Sequence, residues 1–102
     1  MRKNMLFMAY WELNPQKDIR EVGKVAVELR KSGKWPVDGV KIVSWYMTPS
    51  TPFWGTIVYE AENEESVFKN LLAWLNAMPG IFTTYKIAPV LPVEKAIPLA
   101  LL

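Results

Sequence analysis

Hydrophobic and polar residues alternate along four segments of the chain, and this pattern predicts four β-strands. The segments span residues 5–13, 40–47, 53–61 and 81–91. Both alternating sets of each segment contain large apolar side chains: in the first, Phe7 and Trp11 alternate with Met8 and Tyr10. Because one helical layer covers only one face of a sheet, we expect the other face to meet a second protein chain or a ligand.

Two further segments carry apolar residues at helical spacing. The first is expected to begin at the Asn14-Pro15 cap and to end at Gly33. The second is expected to begin at Asn63 and to end before Pro79-Gly80. Its apolar residues are Val67, Phe68, Leu71, Leu72, Trp74, Leu75 and Met78. This stripe is wider than contact with one sheet requires, so part of the second helix should meet something else.

The order of these elements is βαββαβ within one domain of 102 residues. This order predicts a ferredoxin-like α+β fold, a four-stranded antiparallel sheet with both helices on one face. The tail that follows, residues 92–102, is again apolar and contains Pro98, which we expect to prevent a continuous helix. We expect this tail to dock on the excess apolar side of the second helix around Phe68 and Leu72, in the same chain or across an oligomer interface.

Composition excludes several classes of function. The chain has 12 Lys and Arg against 10 Asp and Glu, a net charge of +2 that does not favour nucleic acid or an anionic membrane as partner. It contains neither Cys nor His, which removes thiolate and imidazole nucleophiles and bases and the usual ligands of zinc and haem. We therefore expect no metal and no cofactor. No transmembrane segment and no signal peptide are evident, so a cytoplasmic location is expected.

Three short segments of the chain are Met8-Ala9-Tyr10-Trp11-Glu12, Gly39-Val40-Lys41-Ile42 and Glu60-Ala61-Glu62. In these segments the chain resembles the dimeric α/β-barrel superfamily, and within it small uncharacterised domains with a Tyr-x-x-Trp-Glu-like first strand. The resemblance covers residues 4–91 and implies a homodimer, or a larger even-numbered oligomer, in which two sheets pack face to face. Haem enzymes, small monooxygenases and His-dependent proteins share this superfamily, but their His ligands and bases have no counterpart here.

The two faces of the predicted sheet differ in content. A uniformly apolar set is expected to face the helices: Phe7, Ala9, Trp11, Val43, Trp45, Ile57, Tyr59 and Ile87. A mixed set is expected to face the partner sheet and to line a cavity for a small, partly apolar ligand. The residues predicted to bind that ligand are Tyr10, Glu12, Tyr46, Trp54, Thr56 and Lys86.

Besides a binding protein or a purely structural protein, the sequence allows three other interpretations. A cofactorless enzyme of monooxygenase or isomerase type would use Glu12 as general base, but a Glu at a strand end is more often solvated or paired with Lys. Lys86 could form a Schiff base, although an ion pair with Glu12 or Glu60 is the preferred interpretation. An RNA-recognition domain is disfavoured because the third strand lacks the basic residue and the second aromatic that such domains carry.

Overall fold

The computed structural model describes residues 4–102 and has the predicted order of elements, followed by a third helix. The elements are β1 (Met5–Leu13), α1 (Ile19–Ser32), β2 (Val40–Met47), β3 (Trp54–Ala61), α2 (Glu64–Ala77), β4 (Phe82–Val90) and α3 (Val93–Ala100). The strands form one antiparallel sheet in the order β2-β3-β1-β4. The ferredoxin-like fold predicted from the sequence is therefore confirmed.

One face of the sheet is buried beneath α1 and α2. In β1 every second residue from Phe7 to Leu13 is buried, and Ile57, Tyr59 and Ala61 of the neighbouring β3 are buried with them. The helices add Val22 and Leu29 of α1 and Val67 and Trp74 of α2 to this core, as expected in a two-layer domain. Trp35, Val40 and Ile81 are buried with them.

The predicted sorting of strand residues is right for β1 and β3 and wrong at Val43. A bulge between Ile42 and Ser44 interrupts the register of β2, so Ile42 pairs with Tyr59 and Ser44 pairs with Val58. Val43 is the extra residue, and 54% of it is exposed. A bulge shifts the alternation by one residue, so Ile42 and not Val43 lies on the helical side.

The first helix begins four residues later than the Asn14-Pro15 pattern predicts. Its cap is Asp18, whose side chain accepts a hydrogen bond of 2.8 Å from the amide of Arg20. Asn14 instead accepts from the amide of Gln16 and donates to the carbonyl of Gly80 at 3.0 Å. This side chain links the end of β1 to the connection between α2 and β4 and does not start the helix.

The second helix begins where it was predicted. Asn63 accepts a hydrogen bond of 2.9 Å from the amide of Ser66, and Glu64 and Glu65 occupy the positive first turn. Asn70 of the same helix is fully buried and accepts a 2.9 Å hydrogen bond from the amide of Val37. This bond fixes the connection between α1 and β2 against α2. Phe68 remains 57% exposed, in agreement with the over-wide apolar stripe.

The prediction that Pro98 prevents a helix in the tail is wrong, because α3 runs from Val93 to Ala100 through it. Pro98 is the sixth residue of the helix, so its missing amide removes one hydrogen bond near the end of the helix. The amides of Leu101 and Leu102 then bond to carbonyls three residues back, a tightened last turn. In the described chain α3 has no buried residue, so the tail does not dock as expected within the same chain.

Among residues 4–102, no helix is both long enough and apolar enough to cross a membrane.

Gly55 is buried in β3 directly beneath the indole of Trp11. A Cβ at this position would overlap the backbone carbonyl oxygen of Tyr46 and the Trp11 ring. Since the oxygen belongs to the neighbouring strand, the sheet itself would have to move. Only a glycine lets β2, β3 and the Trp11 indole approach this closely.

We therefore predict that Gly55→Ala lowers the free energy of unfolding by about 1–3 kcal/mol, the usual effect of overpacking a filled core. Gly23→Ala is the matched control, because a Cβ on this residue of α1 meets no atom within 4 Å. That substitution should raise stability by about 0.5–1 kcal/mol, since alanine favours a helix over glycine. Urea unfolding of both variants measures the difference, and equal midpoints would contradict the role of Gly55.

Candidate functional site

The six residues predicted to bind a ligand lie together on the sheet face that is remote from the helices. The strand register places Tyr46 opposite Thr56, Thr56 opposite Tyr10 and Tyr10 opposite Lys86, so these four form one row across all four strands. Glu12 lies in the next row between Trp54 and Thr84. The fold order alone brings these residues together, because directly opposed residues on one face are close neighbours.

Tyr10 and Glu12 form the one direct contact between polar groups of this set in the described residues. The Tyr10 hydroxyl donates a short hydrogen bond to Oε2 of Glu12, and this bond to a carboxylate raises the pKa of Tyr10 above its ordinary value. The indole of Trp54 packs against the Tyr10 ring with centroids 5.7 Å apart. A carboxylate, a phenol and an indole therefore share one end of the face.

The expected ion pair between Lys86 and Glu12 or Glu60 is not formed in the described part of the chain, where both salt bridges lie within helices. The reason is the register, which places Lys86 opposite Tyr10 and Thr84 opposite Glu12. Glu12 uses its carboxylate on Tyr10 instead.

This face is open in the single chain. Tyr46 is 72% exposed, and Met8 and Trp54 are each 42% exposed. Leu6 and Val58 lie on the same face and are half-buried. A ligand held here would therefore be enclosed only by a second molecule that covers the sheet.

A second site lies on the opposite face, between the sheet and the helices. It is a cavity of about 270 Å³ bordered by both helices and all four strands. Its border contains seven aromatic residues whose rings lie on this side of the sheet or above it: Trp11, Trp35, Trp45, Tyr59, Trp74, Phe82 and Tyr85. Of the six residues predicted to bind a ligand, only Tyr46 borders it.

Trp35 is the centre of the aromatic border. Its ring lies 4.7 Å from that of Trp45 and 5.2 Å from that of Trp74, both in edge-to-face geometry. Its indole nitrogen donates a 3.1 Å hydrogen bond to the hydroxyl of Tyr59, so the polar atom of this buried ring is satisfied. The guanidinium of Arg30 stacks over the outer side, 5.8 Å from the Trp35 ring and 6.0 Å from the Trp45 ring.

Two phenols supply the polar atoms of the cavity. Burial raises the pKa of Tyr85 to about 12, and burial also raises the pKa of Tyr59, helped by the neighbouring Tyr85. Both groups therefore stay protonated at neutral pH. The Tyr59 oxygen accepts from Trp35 and keeps its own hydrogen available to a ligand.

The cavity opens at one edge of the domain, between the start of α1 and the end of β2. Among its border residues, Met47 is 46% exposed, Trp45 is 38% exposed and Ile19 is 37% exposed. Gly23 lies on α1 one turn from Ile19 and presents no side chain to the opening. The missing side chain widens the entrance next to the β2 edge.

The border carries no acidic or basic side chain among the described residues. Within residues 4–102, no three His, Cys, Asp or Glu side chains come together as a metal site would require. The cavity can enclose an apolar molecule and offer it phenol hydrogen bonds, but it has no group that is a strong base at neutral pH.

Sequence patterns did not point to this cavity. Trp35 lies in a connection with no periodicity, and Tyr85 lies on β4 next to Lys86 but on the opposite face from the residues predicted to bind a ligand. The available signal was the presence of five Trp residues in 102, more than a small core needs. Four of the five border the cavity.

Three solved structures show the extent of the structural similarity. A NIPSNAP-like domain protein from Burkholderia xenovorans has a TM-score of 0.60 at 13% identity, covering 90% of this chain and 87% of that one. A dimeric ferredoxin-like protein of unknown function from Thermobifida fusca has a TM-score of 0.57 at 11% identity, covering 90% and 93%. A protein from Bacteroides thetaiotaomicron, provisionally assigned as an antibiotic biosynthesis monooxygenase, has a TM-score of 0.57 at 12% identity, covering 89% and 90%. At these identities the likeness establishes the fold.

No curated protein matches the sequence. Residues 5–101 match a family described as a domain of unknown function, DUF3303. This match spans nearly the whole chain, and it agrees with the resemblance to small uncharacterised ferredoxin-like domains noted in the sequence. The chain belongs to the DUF3303 family.

Proposed function

We propose that this protein binds a small, neutral, mainly aromatic molecule in the cavity between its sheet and its helices. The observation that carries the proposal is the cavity itself, about 270 Å³ of space bordered by four indoles and by side chains without charge. Natural ligand sites measure about 300–1,000 Å³ and are mostly apolar with a few placed polar groups. A ligand of one or two rings suits a space near the lower end of that range.

The chemistry of the border favours a neutral ligand. An ion in this space would lose its hydration without gaining a charged partner, which is costly. The Tyr59 hydroxyl provides one hydrogen-bond donor beside the indoles, and Tyr85 lies next to it. A ring that carries a hydroxyl or carbonyl group would satisfy both the apolar walls and these phenols.

The location differs from the one predicted from sequence, which was the space between facing sheets. Tyr10, Glu12, Trp54, Thr56 and Lys86 lie on the outer face and would contribute to a ligand site only after a second sheet covers them. We propose that this outer site forms only in a dimer. The inner cavity needs no second chain.

We further propose that the protein is a homodimer in which the outer faces of two sheets meet. The exposed Met8, Tyr46 and Trp54 support this, because large apolar side chains grouped on one exposed face are typical of protein–protein contact sites. The Thermobifida fusca protein of similar fold is described as dimeric. A two-fold contact would place the same patch on both sides of the interface.

A cofactorless enzyme is the second candidate function, and the hydrogen bond between Tyr10 and Glu12 favours it. A carboxylate paired with a phenol beneath a covering sheet could move a proton to or from a substrate. A protein of similar fold is provisionally assigned as a monooxygenase. Consumption of a bound aromatic compound, abolished by Glu12→Gln, would support the enzyme, whereas recovery of the compound unchanged supports a binding protein.

For the inner cavity we predict that 2-naphthol binds and that naphthalene-2-sulfonate, of similar shape but charged, binds at least tenfold more weakly. Calorimetry measures both affinities. Ala26→Phe should reduce 2-naphthol binding at least tenfold, since Ala26 borders the cavity and a phenyl ring would enter it. Val27→Phe is the matched control on the next, exposed residue of α1. Equal binding of the two compounds, or equal effects of the two variants, would refute the proposed site.

The buried phenols lead to a prediction about alkaline stability. In the unfolded chain Tyr85 ionises near its ordinary pKa of about 10, whereas in the folded protein it does so near 12. The unfolded state therefore loses protons first, and stability should fall as the pH rises from 10 to 12. Tyr85→Phe should make this fall smaller than in the parent protein. Thermal melts at pH 8 and pH 11 measure the change, and an unaltered pH dependence in the variant would contradict the burial of this phenol.

For the dimer we predict that Trp54→Asp and Tyr46→Asp each reduce the mass measured by light scattering from dimer to monomer at micromolar concentration. A charge placed at the centre of an apolar interface is left without water or a partner. Val27→Asp, at a residue of α1 that is 65% exposed, should leave the mass unchanged. A parent protein that is already monomeric would exclude the sheet-to-sheet dimer.

A further inference from the structure

The last helix of the chain is too short and too exposed to be stable without a surface to pack on. α3 has eight residues, contains Pro98 and has no buried residue in the described chain. Isolated helices need about 12–15 residues to be even marginally stable in water. Its apolar stripe, formed by Val93, Ile97 and Ala100, recurs at helical spacing, and Val93 and Ile97 are 67% and 56% exposed.

A groove suited to this stripe lies elsewhere on the same molecule. It has a volume of about 230 Å³ and runs between the first two turns of α2 and the end of β4. Apart from Glu64 and the half-buried Tyr85, its border is apolar: Phe7, Val67, Phe68, Leu71, Ile87, Ala88 and Pro89. No residue of α3 borders it.

The groove and the helix match in length. The α2 residues that border the groove lie between Glu64 and Leu71, about 12 Å along the helix axis. The eight residues of α3 have the same length.

The backbone between β4 and α3 directs the helix away from the groove of its own chain. Pro92 is extended, with φ −54° and ψ 140°, and the residue before a proline also avoids helical geometry. The result is an elongated molecule, 48 Å in its longest dimension. Its radius of gyration is 14.9 Å, whereas a compact domain of this length has about 13 Å.

We propose that α3 of each chain packs in the α2–β4 groove of a second copy. Two copies that exchange their helices reciprocally form a closed two-fold dimer, in which the helix-to-groove contact occurs twice. It buries the apolar stripe of α3 and the exposed ring of Phe68 together. It shares no residue with the sheet-to-sheet contact, and of the residues that border the ligand cavity only Tyr85 also borders the groove.

Disulfide cross-linking tests this contact, and the natural chain has no cysteine to interfere. Ile97→Cys and Phe68→Cys are made in separate full-length chains with different affinity tags, and the two chains are co-expressed and mildly oxidised. We expect a covalent heterodimer at least fivefold more abundant than from Ile97→Cys with Val27→Cys, where the second cysteine lies on exposed α1. A heterodimer no more abundant than in this control overturns the proposal.

The double variant Ile97→Cys, Phe68→Cys in one chain distinguishes packing of α3 in the groove of a second copy from packing of α3 in the groove of its own chain. Interchain dimers are the expected product, and a predominantly intrachain disulfide in a monomer would overturn the exchange.

Ile97→Glu should also lower the melting temperature by a few degrees, while Lys95→Glu, on the polar side of α3, should not. Equal melting temperatures of these two variants would refute the buried position of Ile97. Trp54→Asp tests the sheet contact separately, so failure of one contact does not decide the other.

Discussion

The packing of the sheet against the helical layer depends on the indole of Trp35, which contacts β2, β3 and α2 at once. It enters from the connection between α1 and β2, donates to Tyr59 of β3, and contacts Trp74 of α2 and Trp45 of β2. Indole rings are rigid and planar. Because these rings meet edge to face, they leave unfilled space beside the contact. The same packing that stabilises the two layers therefore produces the cavity beside it.

Much of the fold could be predicted because it depends on local patterns. Alternation located the four strands, Asn63 located the start of α2, and the order of elements implied which strands are neighbours. For this reason Tyr46, Thr56, Tyr10 and Lys86 were grouped correctly although they are far apart in sequence. A row across a sheet follows from strand order and register alone.

The remaining features depend on three-dimensional packing, which sequence spacing does not report. The local sequence is compatible with a regular β2 as well as with the bulge at Val43. It is likewise compatible with a helix cap at Asn14 as well as at Asp18. The helix through Pro98 was missed because a proline near a helix end costs fewer hydrogen bonds than one in its middle. The cavity was missed because it arises from the sizes and angles of rings that come from five different elements and a loop.

The chemistry of this domain differs from face to face. On the outer face a carboxylate and a phenol are in contact with each other and open to a partner, whereas the inner cavity offers neutral phenols and indoles. A chain without His or Cys has few other means of catalysis.

The indole cluster also has an optical consequence. Trp35, Trp45 and Trp74 have ring centroids 4.7–6.4 Å apart and planes inclined by 67–76°. Electronic transitions of chromophores this close and this strongly inclined couple to one another, which produces paired bands of opposite sign in circular dichroism. In the native fold the three indoles thus act together as one chiral chromophore, and the excitation of any one ring is shared with the other two.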